Sequence, residues 1–297
     1  MLVMSGMSVG VVIAFKVLAS SVLVFAILRG VGKLGDRASG MVAGLPYASA
    51  PALLWLALDR DTVWMAAALT DSMVTASAYA AFAVFFLAFA HFLRGWWLLP
   101  LTAVASLALV HLTHSLFSFA EPTAGALLVC GVLLWGARLL LPQTGAPVDA
   151  PAADAPMSKF AAMSMTHRHA MNALLAGLLV LFTMLLGHVS PRWMAAALLG
   201  LPLISATVLA SAHSTGSHSK TLRTAEGFVD GCLIRTCFCF FFALLLPTAG
   251  VVVAFGCAIA LALALAASLF FRARMRSQTH ALESRQALST LWIGRPR

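Results

Sequence analysis

The sequence predicts an all-α, polytopic membrane protein with about nine transmembrane helices in two inverted four-helix repeats. Three observations predict it. Of 297 residues, 61% are hydrophobic and only 10% charged, against about 25% charged in a soluble domain; the mean hydropathy is +0.95. The apolar residues fall in runs of about twenty, the length that crosses a hydrocarbon core of about 30 Å. A ten-residue pattern built on Gly-Leu-Pro occurs once in each half of the chain. The strict alternation of apolar and polar residues that a β-barrel needs is absent.

The spans follow in chain order. The first, 9–31, lacks a basic leader and is interrupted by Lys16, so it reads as a retained span and not a cleaved signal peptide. The second, 38–58, carries Gly44, Pro46 and Pro51; proline removes a backbone donor and clashes with the preceding turn, so a break is expected there. Spans at 63–90, 96–117 and 121–141 come next. "PQTGAPVDAPAADAP" then forms a linker with no periodicity. After it, 170–189, 191–212, 224–246 and 248–271 complete the set, and a polar, basic tail follows. The expected units are 1–119, a linking helix 120–141, a cytoplasmic linker 142–169, a second repeat 170–272 and a tail 273–297.

The net charge of +9 could suggest nucleic acid, but the basic residues are spread over many loops. With the N-terminus outside, fifteen of the 19 Lys and Arg fall in inner loops or the tail. Arg60 and Arg192 fall outside, and Lys16 and Arg235 lie within spans. That bias is the positive-inside pattern, so the charge reports topology and no nucleic-acid partner is expected.

"GLPYASAPAL" from Gly44 returns as "GLPLISATVL" from Gly200, 156 residues later. Gly44, Pro46, Ser49 and Pro51 in the first copy, and Gly200, Pro202 and Ser205 in the second, form the helix-break motifs. At the same offset Phe82, Phe85 and Phe86 meet Phe238, Phe241 and Phe242. Five spans separate the starts of the two units, and an odd number turns the second upside down. Inverted repeats with broken helices are a signature of secondary transporters.

Ala43-Gly44-Leu45-Pro46 early in a second helix, followed by an aromatic-rich third, resembles the small GlpM-type bacterial inner-membrane proteins. Here the unit would be fused to an inverted copy. The resemblance implies a bacterial inner membrane, with no catalytic residue to carry over.

Ionisable groups inside spans are costly and are functional candidates by default. Asp71 in the third span and Glu226, Asp230 and Arg235 in the eighth are the candidates for a substrate or coupling-ion pathway. Glu226 and Asp230, four apart, share a helix face. Glu226 also falls within a turn of the expected helix start, where a carboxylate suits the dipole. Asp71 and Arg235 lie at matching depths, ~12 Å and ~13 Å below the outer surface. Mutual pairing is therefore expected. His111 and His114, three apart at the outer end of span four, are of a residue type that can shuttle protons, though amphipathic histidines at the membrane interface are the plainer reading.

Met163, Met165, His167, His169 and Met171 supply soft and imidazole ligands, but without cysteine or a defined spacing no metal is assigned. The five cysteines lie in or beside apolar segments, as small buried hydrophobes do. No HExxH, GxSxG, Walker A or dinucleotide fingerprint occurs, so neither an enzyme nor a cofactor is expected. The resulting expectation is a multi-pass inner-membrane transporter or permease for a small solute. Its N-terminus would be periplasmic and its tail cytoplasmic. A non-transporting scaffold or accessory subunit is the alternative.

Overall fold

In the computed structural model the described residues are 9–31, 35–46, 49–90, 93, 97–117, 124–141, 203–214 and 218–293, with single positions between 167 and 194. All regular structure among them is helical. In chain order the helices are α1 (Val9–Val31), α2 (Asp36–Gly44), α3 (Ser49–Asp59), α4 (Thr62–Ala90), α5 (Leu98–Leu116), α6 (Ala124–Leu140), α7 (Leu203–Ser214) and α8 (His218–Ile293).

Four segments are long and apolar enough to cross a membrane by length and composition: Asp36–Asp59, Thr62–Ala90, Leu98–Leu116 and Ser219–Arg272. Gly10–Ala26 and Ala124–Leu140 are shorter apolar helices. The outward surface matches. Phe15, Leu18, Val22, Val104, Leu128, Val132, Trp135 and Val252 are all exposed, on helices around the whole bundle. An apolar surface of this extent suits lipid and not water, which is compatible with a membrane location.

The chain leaves the helix at Gly44. Leu45 is extended (φ −63°, ψ 155°), Pro46 lies in the turn, and α3 restarts at Ser49, whose hydroxyl donates to the Pro46 carbonyl at 3.3 Å. Proline restricts its predecessor to extended geometry, which is why α2 stops there. Gly200 and Pro202 of the second motif lie outside the described residues, and Ser205 falls within α7. Gly44 therefore cannot be placed against Gly200; its observed neighbour is Gly231.

α8 is two helices joined at a corner. Gly250 has φ 73° and ψ 167°, a region essentially reserved for glycine, and Pro247 stands one turn before it. Beyond the corner the chain turns back. Phe255 packs edge-to-face against Phe238 and Phe242 with ring centroids 5.8 and 5.6 Å apart, whereas a straight helix would put 238 and 255 about 25 Å apart. The expected spans 224–246 and 248–271 are these two limbs. The first limb starts at His218, six residues earlier than the sequence suggests. Glu226 thus lies beyond the first turn, out of reach of the helix-dipole explanation.

α4 is the central helix. Residues 65–80 are buried without a break, and alanine and serine recur through "AAALTDSMVTASAYAA". Small side chains let α4 meet α5, α6 and α8 at once. Thr70 donates to Ala66 O and Ser77 to Met73 O within the helix. Such back-bonding makes polar side chains tolerable away from water. The first limb of α8 runs antiparallel to α4, since Ser77 meets Thr236 and Phe82 meets Phe228.

The contacts sort the helix ends into two sets. Asp36 and Arg37 of α2, Arg138 of α6 and Lys220 of α8 meet at one end, called here the basic end. Asp59, His114 and the Gly250 corner belong to the other. Counting α2–α3 as one and the limbs of α8 as two, the described residues form eight helical segments, one of them the short α7. Span 170–189 is described only at single positions and half of 191–212 lies outside the described residues, so neither the count of nine nor the second repeat is carried by these residues.

Candidate functional site

The stretch "TDSMVTAS", 70–77, gives α4 a polar seam inside an apolar bundle. Asp71 is 3% exposed. Asp71 and Thr75 are one turn apart on α4 and both face His114 of α5. The His114 Nε2 lies 3.0 Å from the Thr75 hydroxyl, and Nδ1 lies 3.9 Å from the Asp71 carboxylate. The second distance is too long for a hydrogen bond. One bridging water or a small side-chain motion would close it.

Across the interface, α8 supplies the matching seam. Thr236 Oγ1 lies 3.0 Å from Ser77 Oγ, the Cys239 thiol faces Ser72 and Arg235, and Cys130 of α6 faces Ser77. Arg235 is 8% exposed, and its charge reaches Tyr79, Cys232 and Cys239. The helix interface thus brings both ionisable seams together.

Asp230 and Glu226 belong elsewhere. Asp230 has no exposed side-chain surface and sits between two arginines from different helices. Arg37 Nη2 of α2 donates to its Oδ2 at 2.9 Å, and Arg138 of α6 pairs with Oδ1. Arg37 also reaches Glu226 at 3.7 Å. The i,i+4 carboxylates do share a face, as their spacing predicts, and that face meets the ends of α2 and α6. Arg37 and Arg138 were assigned by sequence to inner loops. Nothing in their spacing tells which buried carboxylate they neutralise.

Close backbone approach makes this geometry possible. On α2, Gly40 lies against the Thr224 backbone of α8 and Gly44 against Gly231, while Gly227 of α8 lies against the backbone of Arg37 and Met41. A Cβ on Gly227 would fall 2.0 Å from Arg37 O, and one on Gly44 2.6 Å from Phe228 O. Each pair is four residues apart, so both glycines of a helix point the same way. The signal that could have revealed it is the Gly-x-x-x-Gly spacing in "GMVAG" and "GFVDG", a pattern of close membrane-helix packing.

At the opposite end, Lys16 of α1 donates to Asp59 at 2.8 Å and lies 5.3 Å from the Trp55 ring. A charge that interrupts an apolar span is thereby neutralised at the end of α3. Of the Met/His stretch, only His167 and Met171 are described. Among the described residues no group of three or more His, Cys, Asp or Glu is placed to hold a metal ion. Comparison with known protein families, curated proteins and solved structures returns no match to this chain.

Proposed function

We propose that the protein is a secondary transporter or permease that moves a small solute across a bacterial inner membrane, coupled to proton movement through Asp71 and His114. The observation that carries this is Asp71 itself. It is a carboxylate buried in the most enclosed helix of a lipid-facing bundle, set beside a histidine. An ionisable group in such a place costs several kcal/mol, and a passive scaffold gains nothing from keeping it. Proton exchange between Asp71 and His114 is a use for it. The hydroxyl- and thiol-lined seam from Ser72 to Ser77 would accommodate the solute, with Arg235 and Asp71 as its charged groups.

The same reading takes the basic end as cytoplasmic, because Arg29, Arg37, Arg138, Lys220, Arg223 and Arg272 belong to it. It counts nine spans with the N-terminus periplasmic, and it treats the two Gly-Leu-Pro units as inverted copies of a GlpM-type repeat. Two features support the repeat. α4 and the first limb of α8 run antiparallel, and the matched Phe82, Phe86, Phe238 and Phe242 are all fully buried. One observation favours the alternative of a non-transporting accessory subunit. The glycine contact between α2 and α8 is too close to slide.

Reconstitution into vesicles holding a pH-reporting dye tests the proposal. Panels of small organic anions, cations and neutral solutes are added under an imposed proton gradient. At least one class should drive proton movement in the wild type and not in Asp71→Asn. Equal traces from both proteins for every solute would contradict it.

A further inference from the structure

We infer that Arg138 and Asp230 form a latch that closes the basic end of the bundle, with Arg138 as its removable half. This deepens the transporter reading and rests on it for its biological meaning, though the test below uses no solute.

The two arginines on Asp230 are not equivalent. Arg37 belongs to α2, which is locked to α8 by backbone contacts at Gly40, Gly44, Gly227 and Gly231. At these four positions no side chain separates the backbones, so the contact has none to rearrange. The Arg37–Asp230 pair is therefore internal to one rigid unit. Arg138 comes from α6, which packs chiefly on α4 and only lightly on α8. Its pairing with Asp230 ties the end of α6 to the α2–α8 unit.

Exposure points the same way. The Asp230 side chain is fully enclosed, while 48% of the Arg138 side chain reaches the surface. Arg138 can leave for water at small cost. Asp230 cannot follow, and Arg37 at 2.9 Å keeps it from being left as a lone buried charge. An ion pair whose fixed partner stays neutralised when the mobile partner departs has two low-energy states. A structural salt bridge that needs both arginines does not.

Opening would expose the buried stripe of α6. Above Arg138 that stripe runs through Ala137, Leu134 and Cys130, and Cys130 lies about 12 Å from Arg138 along the helix. Cys130 is 2% exposed and faces Ser77 of the seam. It is a native reporter of whether water reaches the interior from the basic end.

The test uses full-length protein retaining Cys130 as its sole cysteine, in vesicles with the basic end outward, and a charged, membrane-impermeant maleimide. The parent should react slowly. Arg138→Gln should react about tenfold faster, equivalent to roughly 1.4 kcal/mol taken from the closed state. Arg138→Lys, which keeps the charge, should restore most of the protection. Arg37→Gln, which strips the fixed partner, should lower thermal stability more than Arg138→Gln does. Unchanged Cys130 reactivity in a folded Arg138→Gln protein overturns the latch. So does equal destabilisation by the two substitutions. Because no transport is measured, a working latch in a protein that moves no solute would refute the transporter reading alone.

Discussion

Gly231 of α8 lies so close to Gly44 of α2 that a methyl group on Gly231 would sit 2.6 Å from the Gly44 Cα and 2.2 Å from the Met41 carbonyl oxygen. The obstacles are backbone atoms, which cannot rotate away. Gly231→Ala should therefore push the helices apart, at a cost of about 1–3 kcal/mol or more. It should lower the melting temperature in detergent. Gly131→Ala on α6 is the control, since a Cβ there meets nothing within 4 Å. Helix propensity then predicts an unchanged or slightly raised stability, by up to about 1 kcal/mol.

Gly250 is the second glycine with a defined job. At φ 73° and ψ 167°, Gly250→Ala should cost about 1–3 kcal/mol and loosen the edge-to-face contact of Phe255 with Phe238. A thermal melt reads the loss. Pro247→Ala should cost less, because the fold-back at Gly250 remains.

Lys16 and Asp59 make a directional prediction. Lys16 is buried and Asp59 is partly exposed, so Asp59→Asn strands the more enclosed charge. Lys16→Met removes that charge while keeping an apolar stem. Asp59→Asn should destabilise more than Lys16→Met, and the double variant should be milder than the sum of the two. Equal effects in a melt would mean the pair is a solvated surface contact.

Much of this architecture is legible in the residues because lipid leaves few options: backbone groups must be satisfied internally, so apolar runs become helices. Thr62–Ala90, Leu98–Leu116 and Ala124–Leu140 fall within a few residues of the expected spans. The break at Gly44-Leu45-Pro46 follows from proline chemistry alone. The polar clusters are less legible. Asp230 and Arg37 are 193 residues apart, and helix periodicity gives the face a residue occupies without naming the helix opposite. Glu226 and Asp230 could be placed on one face, but their place against the ends of α2 and α6 instead of the central seam needed the packing of those helices. His114 was visible only as a titratable residue near a helix end; its place beside Asp71 depends on how α5 meets α4.

Within the seam, Asp71→Asn and Arg235→Gln should each reduce transport at least as strongly as they reduce stability. The double variant should be milder than the two effects summed, because removing both charges leaves neither stranded. Initial rates in vesicles, set beside melting temperatures, separate the two roles. Strictly additive losses would show that the residues act apart.

The most direct test of the central claim is whether water reaches the seam from both sides. Cys239 is fully buried in the structure, and Ser72, which faces it, lies about 15 Å along α4 from its start. A protein retaining Cys239 alone is treated with an impermeant maleimide in right-side-out and in inverted vesicles. A transport pathway that opens alternately predicts modification from both faces, with Arg138→Gln raising the rate from the basic end. A thiol that stays unmodified from either face, in folded protein and across conditions, would mean a permanently dry interior and would contradict the transporter account.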